Sequence, residues 1–538
     1  MKNLSKTQRF GLSALTGTLM GISFPYTGSL FILTFVAWVP LLLLEDYVLR
    51  KKYYSGKVWI HAFVAFVLYN LITTWWIYFA SFGGAVMAVL ANSFLMAFVF
   101  YFYHLAKKHI GPKEGYISLI LFWVAFEYLH FHWEVSWPWL NLGNTFARVP
   151  WLVQWYNFSG ILGGTIWILI INLFVFKLLK NKYLKGQAIK SQQALLLVLI
   201  LFLAVPTGIS LVQYFSYSEK SNPENVVIIQ PNIDPYTEKF TTPLQGQIDK
   251  TLALTNGEIT DQTDLVLAPE TTLSYEFYED QIGAYTFYNS LDSAVQKWNC
   301  DFLLGASTSK IFDKKNSSAS RAFTNRPGYW ESYNTSYLMR PNGENEFVHK
   351  SKLVLGVEKV PFISYLPFLD DWAINLDGAS GSLGVSKEPM ILKGKNGWFA
   401  PVVCYESVYG EFVAEQVRKG AEFIAIITND GWWKDTPGYK QHLAFARLRA
   451  VENRRAVARS ANTGSSAIIN QRGDIIQKTD WWVPTTIVGT LNRNKELTIY
   501  SKYGDFFGRS FTFVSALLIL FTWVKRFKNK YGISQTKK

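Results

Sequence analysis

Three short stretches carry residue types that together do nucleophilic chemistry. Pro401-Val-Val-Cys404-Tyr-Glu406 ends an apolar run, Trp398 to Val403, which predicts a buried strand that delivers a thiol to its C-terminal end. Ala268-Pro269-Glu270 ends a second such run, and His349-Lys350 stands just ahead of Ser351-Lys-Leu-Val. Open α/β sheets gather their reactive groups at the C-terminal ends of the strands. Taken singly, each residue has a plainer reading. A lone cysteine in an apolar run is more often a small buried hydrophobe. Lys350 alone is a solvated strand-end lysine, and Glu270 alone is a surface acid after a proline. A carboxylate, an amine and a thiol on three separate elements are a rarer conjunction.

The chemistry they allow is attack at a carbonyl. Cysteine attacks as thiolate, with a free pKa of about 8.5, so a base must take its proton. Glu270 serves if burial raises its pKa towards neutrality. Lys350 stabilises both the thiolate and the oxyanion, with the backbone N–H of Tyr405 as the second oxyanion donor. His442 sits in a helical pattern, Gln441-His-Leu-Ala-Phe-Ala-Arg, and reads as a structural hydrogen-bonding residue rather than a base. Cys300, in Trp298-Asn-Cys-Asp301 ahead of a strand, reads as structural. Two cysteines provide neither a disulfide framework nor metal-ligand spacing, so no metal and no cofactor are expected.

The rest of the chain must hold that set at a membrane. The 538 residues are 49% hydrophobic and 17% aromatic, with only 17% charged; soluble domains carry about 25% charged residues. The net charge of +14 does not point to nucleic acid, because it is concentrated beside apolar segments. Residues 1–190 hold 16 Lys/Arg against 5 Asp/Glu, and residues 525–538 add six more basic residues. Apolar runs of near-spanning length are Phe10–Phe24, Leu30–Leu44, Val58–Ala80, Ala85–Ala106, Tyr116–Leu129, Ile161–Leu179 and Ala194–Phe215. Arg50, Lys51, Lys52 and Lys57, then Lys107, Lys108 and Lys113, then Lys177 to Lys190 mark alternate loops as cytoplasmic. The chain therefore emerges outside after seven spans. Phe511–Val524, followed by Lys525-Arg-Phe-Lys, predicts a shorter eighth span back to the cytoplasm, with an interfacial helix as the alternative. Trp133, Trp137, Trp139 and Trp151 crowd one outer loop, either as an aromatic belt or as a wall of a lipid-facing cavity. Glu127 is the one clear intramembrane acid, a functional candidate or a helix–helix hydrogen bond.

Between residues 217 and 505 the pattern changes to strands alternating with helices, which means α/β. Strand runs are Val226–Ile229, Leu265–Ala268, Phe302–Ala306, Ser336–Met339, Trp398–Val403, Phe423–Ile427, Ser466–Ile469 and Ile487–Leu491. Helical patterns cover Glu411–Lys419 and Lys440–Arg454. Gly378-Ala-Ser-Gly-Ser-Leu-Gly384 precedes no helix and reads as a loop, not a phosphate cradle.

Pro269-Glu270, Lys350 ahead of Leu353-Val354 and Glu358, and Cys404-Tyr405-Glu406 together resemble the Glu-Lys-Cys triad of the nitrilase, or carbon–nitrogen hydrolase, superfamily. Asn429-Asp-Gly-Trp-Trp433, Gln441-His-Leu, Ala446-Arg-Leu-Arg-Ala450, Asn462-Thr-Gly464, Tyr333-Asn334 and Trp137-Pro-Trp-Leu narrow the resemblance to the apolipoprotein N-acyltransferases. The resemblance implies a polytopic α-helical membrane domain (1–216), an α/β nitrilase-like αββα sandwich in the periplasm (217–505), and a C-terminal transmembrane helix with a basic cytoplasmic tail (506–538). It implies an enzyme of the bacterial inner membrane, monomeric and without cofactor, with a phospholipid acyl donor and a diacylglyceryl apolipoprotein acceptor. Carried over, Glu270 is base, Lys350 oxyanion partner and Cys404 nucleophile. Glu358, Tyr405 and Glu406 support them, and Trp137, Trp139 and Phe240 contact lipid. The sequence departs from the family pattern at Leu355-Gly356-Val357, at Phe240 and at Asn144, positions the resemblance puts on the lipid side. Two rival readings are a membrane-tethered amidase with water as acceptor, and a transporter or receptor with a ligand-binding outer domain.

Overall fold

The computed structural model describes residues 3–239, 241–362 and 382–530, with the side chains of 184 and 185 excepted. The chain forms two compact units. One comprises Met1–Trp75, Ala85–Phe215 and Asp505–Lys538; the other comprises Trp76–Gly84 and Ser216–Gly504.

The first unit is helical: α1 (Lys6–Ser23), α2 (Val39–Arg50), α3 (Gly56–Thr74), α4 (Phe82–His109), α5 (Pro112–His132), α6 (Tyr156–Lys185), α7 (Gln193–Ser216) and a C-terminal helix, Phe506–Lys530. Among the described residues, six stretches are long and apolar enough to cross a membrane: Phe31–Arg50, Gly56–Phe79, Phe82–His109, Tyr156–Tyr183, Gln193–Ser216 and Phe506–Lys530; α1 and α5 are not among them. The second predicted span, Leu30–Leu44, falls within Phe31–Arg50 apart from its first residue. Its α-helix starts at Val39, after a 3-10 turn over Phe31–Phe35, because Pro40 suits a helix's first turn. The C-terminal helix runs 25 residues, longer than its apolar core suggests. Small residues let α1 approach α3: a Cβ on Gly17 would lie 2.2 Å from the Ala65 carbonyl oxygen.

Polar groups pin these helices. Glu127 accepts from Trp123 Nε1 (3.1 Å), the Leu142 amide (2.7 Å) and Thr165 Oγ1 (2.6 Å). That makes it a helix–helix and helix–loop tie. It is not the only buried acid. Glu45 and Asp46 on α2 are also buried, paired with His104 and Lys107 on α4 and Lys180 on α6. Trp137 and Trp139 stack, with ring centres 6.0 Å apart. Asn144 is buried and braces that turn by donating to the Pro138 and Trp139 carbonyls.

The second unit contains two sheets. Among the described residues, seven of its strands precede residue 350: β1 (Pro223–Gln230), β2 (Leu265–Leu267), β3 (Leu273–Tyr278), β4 (Asp301–Phe312), β5 (Arg321–Ala322), β6 (Tyr329–Met339) and β7 (Glu346–His349). Seven follow: β8 (Leu392–Lys393), β9 (Trp398–Val403), β10 (Phe423–Thr428), β11 (Val457–Ala461), β12 (Ala467–Ile469), β13 (Ile475–Lys478) and β14 (Thr485–Asn492). The first sheet runs β14-β1-β2-β4-β6-β5, with β3 on β4 and β7 on β6; the second runs β13-β12-β11-β10-β9-β8. Their central strands, β1-β2-β4 and β9-β10-β11, are parallel.

Helices α8 (Leu244–Thr255) and α9 (Thr286–Trp298) cover one face of the first sheet. Ile248, Leu291 and Val295 pack there against Val227, Ile229, Val266 and Phe302. The alternate residues Val226, Ile228, Leu265, Leu267 and Leu303 are equally buried on the opposite face. The sheets meet at β1 and β11: Ser460 Oγ donates to the Ile229 carbonyl (2.7 Å), and the Ser466 amide to Gln230 Oε1 (3.0 Å). Helices α10 (Gly410–Arg418) and α11 (Pro437–Asn453) belong to the second sheet; Gln416 on α10 donates to the Pro401 carbonyl of β9 (3.0 Å). The result is an αββα sandwich.

Residues 76–84, expected to end the span Val58–Ala80 and form the loop before Ala85, belong to this unit, where Trp76 is held. Its ring lies 4.8 Å from that of Trp433 and packs against Gly438, while Tyr236 donates to the Trp432 carbonyl beside it.

Candidate active site

The nucleophile candidate stands where β9 ends. Val402 and Val403 are fully buried strand residues, and at Cys404 the backbone turns left-handed, φ 51°. A non-glycine residue held there costs about 1–3 kcal/mol and persists only where its surroundings fix it. Glu406 does the fixing. Its Oε2 accepts from the Val403 amide (2.8 Å) and its Oε1 from the Ser351 and Lys352 amides (2.6 and 3.2 Å). One carboxyl thus ties the cysteine turn to the segment that follows Lys350. Burial pushes that carboxyl up to about 7, against the pull of the three amides and Lys350. Tyr405 is buried with its ring edge-on to Tyr409, 5.3 Å away.

Glu270 follows β2, and Lys350 follows β7. Lys350 Nζ donates to Glu270 Oε1 (3.1 Å) and Glu358 Oε1 (2.9 Å). Asn334, on β6, donates through Nδ2 to the same two oxygens, 2.8 Å each. The Asn429 amide donates to Glu270 Oε2 (3.1 Å), and the Val354 amide to Glu358 Oε2 (2.8 Å). The departure Leu355-Gly356-Val357 forms the tight turn that brings Glu358 back: the Gly356 amide donates to Lys359 and the Glu358 amide to Val354.

The structure thus brings Glu270, Lys350 and Glu358 into one hydrogen-bonded cluster, with Cys404 within its field. Burial raises the Cys404 thiol strongly, and the Glu270 charge adds to this against the opposing pull of Lys350. Glu270 does not titrate towards neutrality as expected. Burial pushes its carboxyl up, but Lys350, the Asn334 amide and Lys239 outweigh that and hold it below its ordinary 4.5. Lys350 is held well above its ordinary value: Glu270 and Glu358 outweigh the opposite effect of burial. The resting cluster is therefore carboxylate, ammonium and thiol. Trp137 and Trp139 lie in the helical unit. Phe240 lies outside the described residues, as do residues 378–381 of the glycine-rich loop.

Four more residues surround the site: three with no role expected from sequence, and His442, expected to be structural. Asn334 bridges the two carboxylates. Lys239 is buried, bonded to Thr271 Oγ1 with its Nζ 3.4 Å from the Glu270 carbonyl, and burial pushes its amine down to about 8. Asp430 follows β10 and His442 lies on α11. Their ligand atoms and the Cys404 sulfur lie within 4.8 Å of one another. His442 Nδ1 is 2.9 Å from Asp430 Oδ1, and Asp430 also takes Arg459 (2.5 Å) and Thr428 Oγ1 (2.9 Å). Burial raises the Asp430 carboxyl, but Arg459 and His442 prevail and hold it well below its ordinary range. The signal that could have found these residues was present, since Asn334, Asp430 and His442 all sit in the motif stretches.

A family model for the apolipoprotein N-acyltransferase N-terminal domain matches residues 16–174, and one for carbon–nitrogen hydrolases matches residues 225–496. An apolipoprotein N-acyltransferase of Chlorobaculum tepidum is 28% identical over 507 residues, covering 92% of this chain and 93% of its own. One from Geobacter metallireducens is 26% identical over 520 residues, covering 92% of each. Among solved structures, an amidase from Nesterenkonia sp. is 16% identical and covers 52% of this chain and 95% of its own, at a TM-score of 0.35. With one model matching half the chain and the other most of the helical unit, the chain belongs to the carbon–nitrogen hydrolase family, among its apolipoprotein N-acyltransferases.

Proposed function

We propose that the protein transfers an acyl chain from a membrane phospholipid to the α-amino group of the N-terminal diacylglyceryl-cysteine of apolipoproteins, by ping-pong through a thioester on Cys404. The observation that carries this reading is the Lys350 ammonium shared between Glu270 and Glu358 beside a thiol on left-handed backbone.

With Glu270 ionised and the thiol protonated, no free thiolate is stored, so the proton moves to Glu270 as sulfur attacks the ester carbonyl. The carbon–sulfur bond forms and the carbonyl electrons move onto oxygen, where Lys350 and the Tyr405 N–H receive them. Collapse breaks the ester carbon–oxygen bond, and Glu270 returns the proton to the departing lysophospholipid alkoxide. In the second half the acceptor's amine attacks the thioester. The carbon–nitrogen bond forms, the carbon–sulfur bond breaks, and an amine proton passes through Glu270 to the sulfur. Storing the acyl chain on the enzyme lets the two lipid-anchored substrates visit separately. Trp137, Trp139 and Phe240 are assigned to the lipid side.

The same reading makes the protein a monomer of the bacterial inner membrane. Residues 1–216 form its membrane domain, 217–505 the periplasmic catalytic domain, and 506–538 the last span and cytoplasmic tail. The six long apolar helices and their basic flanks support it. Reporters fused after Tyr217 or near Glu496 should be periplasmic, and one after Lys538 cytoplasmic. For the activity, labelled phospholipid supplied with a diacylglyceryl lipopeptide should give a labelled amide. Release of free labelled fatty acid without amide would instead make water the acceptor.

A further inference from the structure

The carbonyl of Cys404 is held from two sides. Ser407 Oγ donates to it at 2.8 Å, and His442 Nε2 lies 3.1 Å from it and 2.8 Å from Ser407 Oγ. The imidazole is itself fixed. Asp430 holds Nδ1 at 2.9 Å, and the Trp433 ring stands edge-on to it at 5.8 Å. His442 and Asp430 are fully buried, and Ser407 nearly so. Burying these polar groups costs desolvation unless they are hydrogen-bonded, and here their bonds converge on one peptide oxygen.

That oxygen belongs to the peptide whose other end is the Tyr405 N–H. A trans peptide is planar, so its C=O and N–H point in opposite directions. Clamping the oxygen on the imidazole side fixes the N–H on the other. A hydrogen bond accepted by the carbonyl also polarises the peptide and makes its N–H a stronger donor. We infer that His442, held by Asp430 and acting with Ser407, is a positioning residue that aims and strengthens the Tyr405 N–H as an oxyanion donor. This rests on the thioester chemistry proposed above. It gives His442 no proton transfer and no contact with the reacting atoms.

Two reactions of the same thiol separate this role from others. Acyl transfer from phospholipid to Cys404 passes through an oxyanion; alkylation by iodoacetamide, in which sulfur displaces iodide from a saturated carbon, does not. In the full-length protein His442→Leu should slow acyl uptake on Cys404 by about 10²-fold while leaving the KM for phospholipid and the alkylation rate within about twofold. His442→Gln, which keeps an N–H donor within reach of the carbonyl, should recover most of the acylation rate, and Ser407→Ala should show a weaker form of the Leu defect. Equal slowing of both reactions in His442→Leu would make His442 a base or thiolate partner and overturn the inference. So would a loss of acylation rate of about 10²-fold in His442→Gln, a measurement that decides the matter even if the Leu variant does not fold. A wild-type protein that gains no acyl mass on Cys404 would instead overturn the thioester reading beneath it.

Discussion

Glu45 and Glu270 are both buried carboxylates bonded to a buried lysine, yet they occupy different kinds of site. Glu45 is bonded to His104 (2.7 Å), to Lys107 and to Tyr103 (3.3 Å), while its neighbour Asp46 takes Lys180 (2.6 Å) and Arg50 (2.8 Å). Those bonds span α2, α4 and α6, and three cations, Arg50, Lys107 and Lys180, surround two anions. Around Glu270 one ammonium serves two carboxylates, an asparagine bridges them, and a protonated thiol stands by on left-handed backbone. Burial and pairing are common to both clusters, so neither marks chemistry by itself. What distinguishes the second is a nucleophile held in strained backbone beside the shared ammonium.

Mutations should separate the two clusters cleanly. The largest effect belongs to Cys404→Ser, which should lose transfer by about 10³-fold or more, because an alcohol beside a weakened carboxylate base is a poor nucleophile. Glu270→Gln and Lys350→Met should each cost about 10²-fold or more in turnover with expression intact. Near wild-type turnover in either variant would remove that residue from the mechanism. Lys107→Met should behave the opposite way. Leaving Glu45 and Asp46 short of a cation should cost about 3–5 kcal/mol of stability, seen as a lower melting temperature, with turnover per folded molecule unchanged. A turnover defect at unchanged melting would erase the contrast.

Smaller effects sharpen the comparison. Glu270 is held below its ordinary 4.5, so the stability and activity owed to its ionised form are present above that value and lost as pH falls through its lower folded pKa. The acidic limb of the acylation rate should therefore lie below pH 4.5. A limb near pH 6 would mean that Glu270 is not the titrating base. Cys300→Ser should change neither activity nor reactivity, since burial keeps that thiol at about 12.

Much of this was legible in the sequence where a local pattern carries the information. β9 coincides with the predicted run Trp398–Val403, and α10 and α11 lie within a few residues of their predicted bounds. β11 was not read, because Val457-Ala-Arg-Ser-Ala carries Arg459 and Ser460, and these are buried only through distant partners, Asp430 and the Ile229 carbonyl. The catalytic candidates could be read as residue types at strand ends. Their protonation states could not: burial alone predicts a raised Glu270, and only the assembled Lys350, Asn334 and Lys239 reverse the sign. His442 reads as a structural residue, and its hydrogen bonds agree; what it touches, the carbonyl of the nucleophile, depends on tertiary packing.

The central claim, a covalent acyl-enzyme on Cys404, is tested most directly by intact mass. Protein incubated with phospholipid alone should gain one acyl mass, mapped to the peptide containing Cys404. The adduct should be labile to hydroxylamine and discharged on adding diacylglyceryl lipopeptide. An adduct on Cys300, or full transfer by Cys404→Ser with no adduct at all, would contradict it.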